Sequence, residues 1–333
     1  MFYTNHCEFT YKDTNRFKIY GRTLADKQGL ILSWSNSGIA FSFKGERAVI
    51  SFGEYICDAP VFVKAYVDGT SQRFGLCGSQ PRIVIDCNKD AVHTIKLLRV
   101  SEGETFLKFK DVTIYGKSPE FNAPPKDKAL KLEFMGDSIT TGWGVLATCE
   151  PESTYNTFEQ DSTRSYAYMT SELLDAEVRA EAVGGQGVWR TCGKAEGIQF
   201  KHMFDMVVRG NESYDHSTWT PDVMILNCGT NDEPGGTTDE DMHREGNILL
   251  DKVRTAYPNA KIIWMYGAMN SKFLKPLKAL IDERRRAGDK NLYFFPLDRV
   301  TREKHEVGAV GHPNVNFSVK TSKKLSNFIK KIL

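Results

Sequence analysis

Apolar and polar residues alternate with a period of two through the first third of the chain. The runs are short and separated by turn formers: residues 38–43, 47–52, 61–67, 82–87, 94–100 and 105–115. Successive side chains of a strand face opposite ways, so each run has one face for a core and one for water. Runs at this spacing predict an antiparallel β-sandwich. Asp68-Gly69, between two of them, predicts a tight hairpin turn. Near residue 120 the texture changes. Ser118-Pro119 and Ala123-Pro124-Pro125-Lys126 form a stiff polar connection, because proline cannot donate to a β-ladder. Beyond it, continuous apolar runs at 130–135, 178–183, 223–227, 262–266 and 292–297 alternate with helical patterns at 165–174, 238–257, 272–286 and 318–332. Strands apolar on both faces, with helices between them, predict a parallel sheet in a three-layer α/β/α domain. The expected domains are a β-sandwich over 1–122 and an α/β domain over 123–333. Residues 141–164 read as one long polar loop, of a length that often carries function.

Composition removes several function classes. Of 333 residues, 41% are hydrophobic, enough for two cores of ordinary size. Lys and Arg total 44 against 42 Asp and Glu, a formal charge of +2, which offers no electrostatic case for nucleic acid as a partner. Lys320, Lys323, Lys324, Lys330 and Lys331 read as the solvated face of a last helix. The 7 cysteines include no C-x-x-C pair, so neither a zinc site nor a redox motif is expected, and a disulfide framework has little support. No cofactor or metal is expected. The first ten residues hold no apolar run, and no segment is long and apolar enough to span a bilayer. A cytoplasmic protein without a membrane partner is expected, unless a leader has been removed.

Chemistry concentrates where strands end, which is where parallel sheets bind ligands. Ser138 follows the first apolar run, in Gly136-Asp137-Ser138-Ile139-Thr140. The second run leads into Gly184-Gly185-Gln186-Gly187, whose backbone N–H groups a ligand can approach closely. The third leads into Asn227-Cys228-Gly229-Thr230-Asn231-Asp232, where the Asn231 amide can face the space above the sheet. His312, in Gly311-His312-Pro313-Asn314, stands just before the last helix, and histidine is the usual general base near neutral pH. Taken singly, each segment is an ordinary turn.

In this order the four segments resemble the sequence blocks of the SGNH hydrolase superfamily (GDSL-like esterases), over residues 130–333. The resemblance implies Ser138 as nucleophile and His312 as general base. It also implies an oxyanion hole made of the Ser138 N–H, the Gly185 N–H and the Asn231 side chain. The segment 136–145, the segment 157–166 and the β-rich first half are similar to carbohydrate esterase family two. That family pairs a jelly-roll domain with the SGNH domain and removes acetyl groups from plant polysaccharides and sugars, which implies an acetylated carbohydrate as substrate. One departure stands out. The superfamily usually has an aspartate three residues before the histidine, and here that residue is Ala309. The resemblance allows a Ser–His dyad in which a backbone carbonyl orients the imidazole. A carboxylate from elsewhere, Glu306 being nearest, stays open, and Asp137 is better suited to bracing its own loop. Trp143 and Trp189 offer aromatic faces that would stack on sugar rings or pack in a core.

Three rival readings remain. Gly142-x-Gly144-x-x-Ala147 imitates a dinucleotide fingerprint, but it opens several residues past the strand and lacks the matching acid. With Ala309 for the usual acid, the chain would alternatively be a non-catalytic carbohydrate-binding protein on a degenerate scaffold. A lipid or thioester hydrolase would need a long apolar acyl pocket that the sequence does not show.

Overall fold

The computed structural model describes residues 5–102, 106–148, 156–193 and 198–333. Residue 105 of the sixth expected strand, residues 149–155 of the expected long loop and residues 1–4 lie outside the described residues. The chain divides into two compact units, Met1–Asp127 and Lys128–Leu333. The proline-rich stretch goes with the first unit, where Lys18 Nζ donates to the Lys126 carbonyl at 3.1 Å and pairs with Asp127 at 3.1 Å.

The first unit is all antiparallel. Its strands are β1 (Asn5–Thr10), β2 (Lys18–Tyr20), β3 (Thr23–Ala25), β4 (Leu30–Leu32), β5 (Gly38–Phe52), β6 (Val61–Val67), β7 (Thr70–Leu76), β8 (Arg82–Arg99), β9 (Leu107–Gly116) and β10 (Glu120–Asn122). The order β3-β4-β9-β5-β8-β6-β7 forms the main path, with β1 on β9, and with β2 and β10 on β5. The runs at 38–43 and 47–52 are one strand. Ile39, Phe41 and Phe43 face the core, and after a register shift between Gly45 and Arg47 so do Ala48, Ile50 and Phe52. An extra residue turns the following side chains to the other face, so the strand changes parity while the core stays on one side. Before the shift β5 pairs with β2 and β10, and after it with β9. One bulged strand thus joins the β2 and β10 pairings to the β9 pairing within a single ten-stranded antiparallel sheet. The runs at 82–87 and 94–100 likewise join into β8. Phe9, Phe17, Phe41 and Phe109 meet at the centre with ring centroids 5.3–6.2 Å apart. The β6–β7 hairpin closes at Asp68-Gly69, both at positive φ, as its two-residue loop requires.

The second unit holds a five-stranded parallel sheet, β11 (Leu130–Gly136), β12 (Ala176–Ala182), β13 (Val223–Asn227), β14 (Lys261–Tyr266) and β15 (Leu292–Pro296), in the order β12-β11-β13-β14-β15. Its helices are α1 (Ser138–Thr141), α2 (Tyr166–Leu173), α3 (Phe200–Met203), α4 (Asp239–Ala256), α5 (Leu274–Arg286) and α6 (Val315–Ile332). From β11 the chain steps one way to β12 and then back across to β13, β14 and β15. Right-handed crossovers in opposite directions put their helices on opposite faces. Accordingly α2 packs with α6 and α4 with α5, giving the three-layer α/β/α arrangement that the apolar runs predict. The helix ends follow local chemistry. Thr238 caps α4 by accepting from Asp241 N, ahead of three acids in its first turn, and Asn314 caps α6 by accepting from Asn316 N at 2.9 Å. No helix among the described residues is long and apolar enough to cross a membrane.

The reversal of direction at β11 matters most for function. Gly136 lies level with Ala182 of β12 and with Asn227 of β13. Three loops therefore leave three adjacent strands at one height, at the switch point where open parallel sheets form crevices.

Candidate active site

Ser138 is the first residue of α1, reached by a sharp turn out of β11. Asp137 caps that turn: its carboxylate accepts the Ile139 N–H at 3.0 Å, and its carbonyl accepts from Thr140 and Thr141. Bracing of the loop is therefore what the structure gives Asp137. It is fully buried, and desolvation raises its pKa to about 7. Gly136 is glycine because of close packing: a Cβ there would sit 2.1 Å from Thr140 Oγ1.

His312 arrives from the other end of the sequence. Its Nε2 lies 2.9 Å from Ser138 Oγ across 174 residues of chain. Its Nδ1 lies 3.3 Å from the Val310 carbonyl. If Nδ1 carries the proton, that carbonyl accepts it and the Nε2 lone pair faces the serine hydroxyl. The open question of a carboxylate partner closes against Glu306, which is buried and pairs with Lys320 instead. That pairing also takes Lys320 off the solvated face expected for the C-terminal lysines, and Lys324 binds Asp298 at 2.7 Å.

Val310 holds its carbonyl at a cost. It sits at φ 49°, ψ 39°, a left-handed conformation that a β-branched residue avoids by roughly 1–3 kcal/mol. Its neighbours pin it there. Gly308 N donates to the His312 carbonyl at 2.6 Å, and Ala309 N donates to Gly144 O at 3.2 Å. Val315 N donates to Val145 O at 3.1 Å, so the serine loop and the histidine loop are laced together on both sides of His312. Ala309 is fully buried at this seam, and a Cβ on Gly144 would lie 2.7 Å from its own Cβ. The residue read from sequence as a missing acid is thus a packing contact between the two loops. Gly142-x-Gly144, read as a failed nucleotide fingerprint, belongs to the same seam.

The glycine loop and the asparagine loop are joined as well. Asn231 Nδ2 donates to the Gln186 carbonyl at 2.8 Å, which leaves its second N–H to point elsewhere. Asp232, buried beside it, accepts the N–H groups of Val188 at 2.8 Å, Trp189 at 2.8 Å and Arg190 at 3.1 Å, and the Thr237 hydroxyl at 3.1 Å. Burial raises its pKa even against those hydrogen bonds. Asp232 was not singled out from sequence, although its place next to Asn231 at a strand end was the available signal. The N–H groups of Ser138 and Gly185 have no partner among the described residues, and a Cβ on Gly185 would meet open space.

The two tryptophans part company. Trp143 reaches the site, but its ring packs against the imidazole of His312, with centroids 4.4 Å apart and planes tilted by 51°. Trp189 has Lys201 Nζ and Arg244 Cζ each 5.3 Å from its ring centroid, so a stacking role on sugar has no support from its contacts. Burial lowers the pKa of His312 to about 4.

A family profile described as GDSL-like Lipase/Acylhydrolase matches residues 134–307, a span that stops short of His312, and one described as Carbohydrate esterase 2 N-terminal matches residues 19–125. Among characterised relatives, the chain is 28% identical over 288 residues to a cellulase/esterase, CelE, of Acetivibrio thermocellus, covering 82% of this chain and 34% of the relative. It is 27% identical over 216 residues to an acetylxylan esterase / glucomannan deacetylase of Cellvibrio japonicus, covering 61% of this chain and 58% of the relative. The chain therefore spans less than two thirds of either relative. Among solved structures, an acetyl xylan esterase (Est2A) from the rumen bacterium Butyrivibrio proteoclasticus superposes with a TM-score of 0.86 at 23% identity, covering 98% of both chains.

Proposed function

We propose, on the premise that this chain belongs to the GDSL-like lipase/acylhydrolase family, that it is a serine esterase removing O-acetyl groups from acetylated carbohydrates. The observation that carries the reading is the 2.9 Å approach of Ser138 Oγ to His312 Nε2, with the Val310 carbonyl behind the ring. An intact hydroxyl–imidazole pair favours catalysis over binding by a degenerate scaffold. The carbohydrate side rests on the names of the two relatives and on the match of the first unit to the family-two N-terminal profile.

In the proposed reaction Ser138 Oγ attacks the acetyl carbonyl as His312 Nε2 takes its proton. The negative charge that develops on the carbonyl oxygen is received by the N–H groups of Ser138 and Gly185 and by the Asn231 amide. As this tetrahedral intermediate collapses, the sugar ester bond breaks and His312 gives the proton to the departing sugar oxygen, which leaves the acetyl group on Ser138 Oγ. A water that gives its proton to His312 then attacks the acetyl group, and acetate leaves with regeneration of the serine hydroxyl. With no carboxylate on Nδ1, the Val310 carbonyl keeps the tautomer and Trp143 limits tilting of the ring.

The reading is tested by acetate release from acetylated xylan, acetylated glucomannan and simple sugar acetates, run beside 4-nitrophenyl acetate and octanoate. Acetate release from a carbohydrate, and faster turnover of the acetyl than of the octanoyl ester, is expected. Turnover of octanoate alone would move the chain to the lipid esterases.

A pH dependence follows from the burial of His312. The working form is the neutral imidazole, so activity is lost as pH falls through its pKa. That pKa is lowered to about 4, so the acid limb of kcat/KM is expected near pH 4, well below the ordinary histidine value of about 6.5. Rates in buffers from acid to neutral pH locate the limb. A midpoint at 6 or above, on the order of an ordinary histidine, would mean that the ring is solvated in the working enzyme.

A further inference from the structure

We propose that the first unit carries a second saccharide site, a cationic groove that holds a carboxylate-bearing polysaccharide. The carbohydrate class of the ligand rests on the esterase reading above, whereas the charge requirement rests on the groove alone.

A cavity of about 920 Å³ opens on this unit. That is near the top of the roughly 300–1,000 Å³ range of ligand pockets. Among the described residues its lining includes Lys12, Lys27, Lys108 and Lys110, against one carboxylate residue, Glu54. Lys108 and Lys110 lie on β9 where its register with β5 shifts opposite Ser51 and Phe52, and both line the groove. Lys108 is engaged with Asp26 at 2.6 Å, and Lys12 lies over the Tyr11 ring at 5.7 Å. Among the described residues no ion pair involves Lys27 or Lys110. Among the described residues lining the groove, positive charge is therefore in excess, although the chain as a whole carries only +2.

The groove is also rigid. Tyr11 N donates to the Lys110 carbonyl and Gly53 N to the Lys108 carbonyl, both at 2.8 Å, so its two rims are hydrogen-bonded to the same strand. Lys27 sits in the β3–β4 turn, where Asp26 Oδ1 accepts from Gln28 N at 2.7 Å and Gly29 N at 3.1 Å. Tyr11 and Phe106, both half-buried, add aromatic surface to the lining. Half-buried aromatic side chains beside exposed amines suit a chain of pyranose rings that carry carboxylates. A neutral sugar would strip water from the amines without returning a charge partner. One exposed ion pair adds little, so recognition needs several carboxylates in sequence, as a polymer supplies.

The test is affinity electrophoresis of the whole chain through gels containing polygalacturonate, or the same polymer fully methyl-esterified and therefore neutral. Retardation by the acid polymer only is expected, and it should vanish at about 0.5 M NaCl, where charges are screened within a few ångströms. The triple variant Lys12→Gln/Lys27→Gln/Lys110→Gln should bind polygalacturonate at least tenfold more weakly, about 1.4 kcal/mol. Its hydrolysis of 4-nitrophenyl acetate and its thermal midpoint should be unchanged, which shows that it folds. Equal retardation by both polymers, no retardation, an unaffected triple variant, or equal binding of double-stranded DNA or polyglutamate would each overturn the proposal. Binding of polygalacturonate by a chain that releases no acetate would remove the esterase reading and leave the groove. Acetate release without binding would do the reverse.

Discussion

Ser138→Ala and His312→Ala are each expected to reduce kcat for acetyl ester hydrolysis by at least about a thousandfold, with the residual rate set by whatever oxyanion stabilisation remains. Each change removes one half of a single proton-transfer unit, since the hydroxyl is a poor nucleophile until the imidazole accepts its proton. The effects should therefore not add: the double variant should be about as slow as either single one. Neither replacement should unfold the protein. The hydrogen bond of the Ser138 side chain is to His312, and a typical bond contributes about 1 kcal/mol net. The backbone bonds lacing the two loops run from Ala309 to Gly144 and from Val315 to Val145, so they survive both changes. Steady-state kinetics of the three variants, with circular dichroism melts alongside, checks this. Retention of a tenth or more of wild-type kcat by Ser138→Ala would place the nucleophile elsewhere.

The pattern of apolar positions predicted the second unit nearly element by element, because strands buried on both faces are continuous apolar runs and amphipathic helices have a period of their own. It failed where tertiary pairing overrides local alternation. The change of parity inside β5 reads as a break between two strands, although the shift at Gly45 and Arg47 keeps one strand on one core. Short elements such as β2, β3, β10 and α3 are too brief to show a period, and are held by neighbours distant in sequence. The site divides in the same way. The candidates Ser138, Asn231 and His312 were legible only jointly, because four segments that are ordinary turns taken singly fall in the order of a known superfamily's blocks. The Val310 carbonyl was not, since every residue has one and only an unfavourable backbone conformation aims it at Nδ1. Ala309 was read by what it lacks, whereas its role is set by Gly144, a contact more than 160 residues away in the chain. Asp232 acts through three backbone N–H groups, a pattern that a sequence does not display.

Asn231→Ala should lower kcat by roughly a hundredfold to a thousandfold while KM changes little, the signature of a donor used only when charge develops on the carbonyl oxygen. The geometry makes this donor firm. Asn231 is buried, one N–H of its amide is fixed on the Gln186 carbonyl at 2.8 Å, and the adjacent Asp232 holds the same loop through its backbone. An amide held in this way needs no reorganisation as the tetrahedral intermediate forms, which is why losing it costs about 3–4 kcal/mol. Asn231→Asp sharpens the test. The carboxylate has nearly the same shape but donates nothing and brings negative charge toward the oxyanion, so it should be slower than alanine. If Asn231 served only to tie the glycine loop, the two variants would lose the same tie, and the damage would appear in KM as substrate lost its seat. Equal kcat values close to wild type, with a raised KM, would assign the stabilising charge to the backbone N–H groups of Ser138 and Gly185 alone.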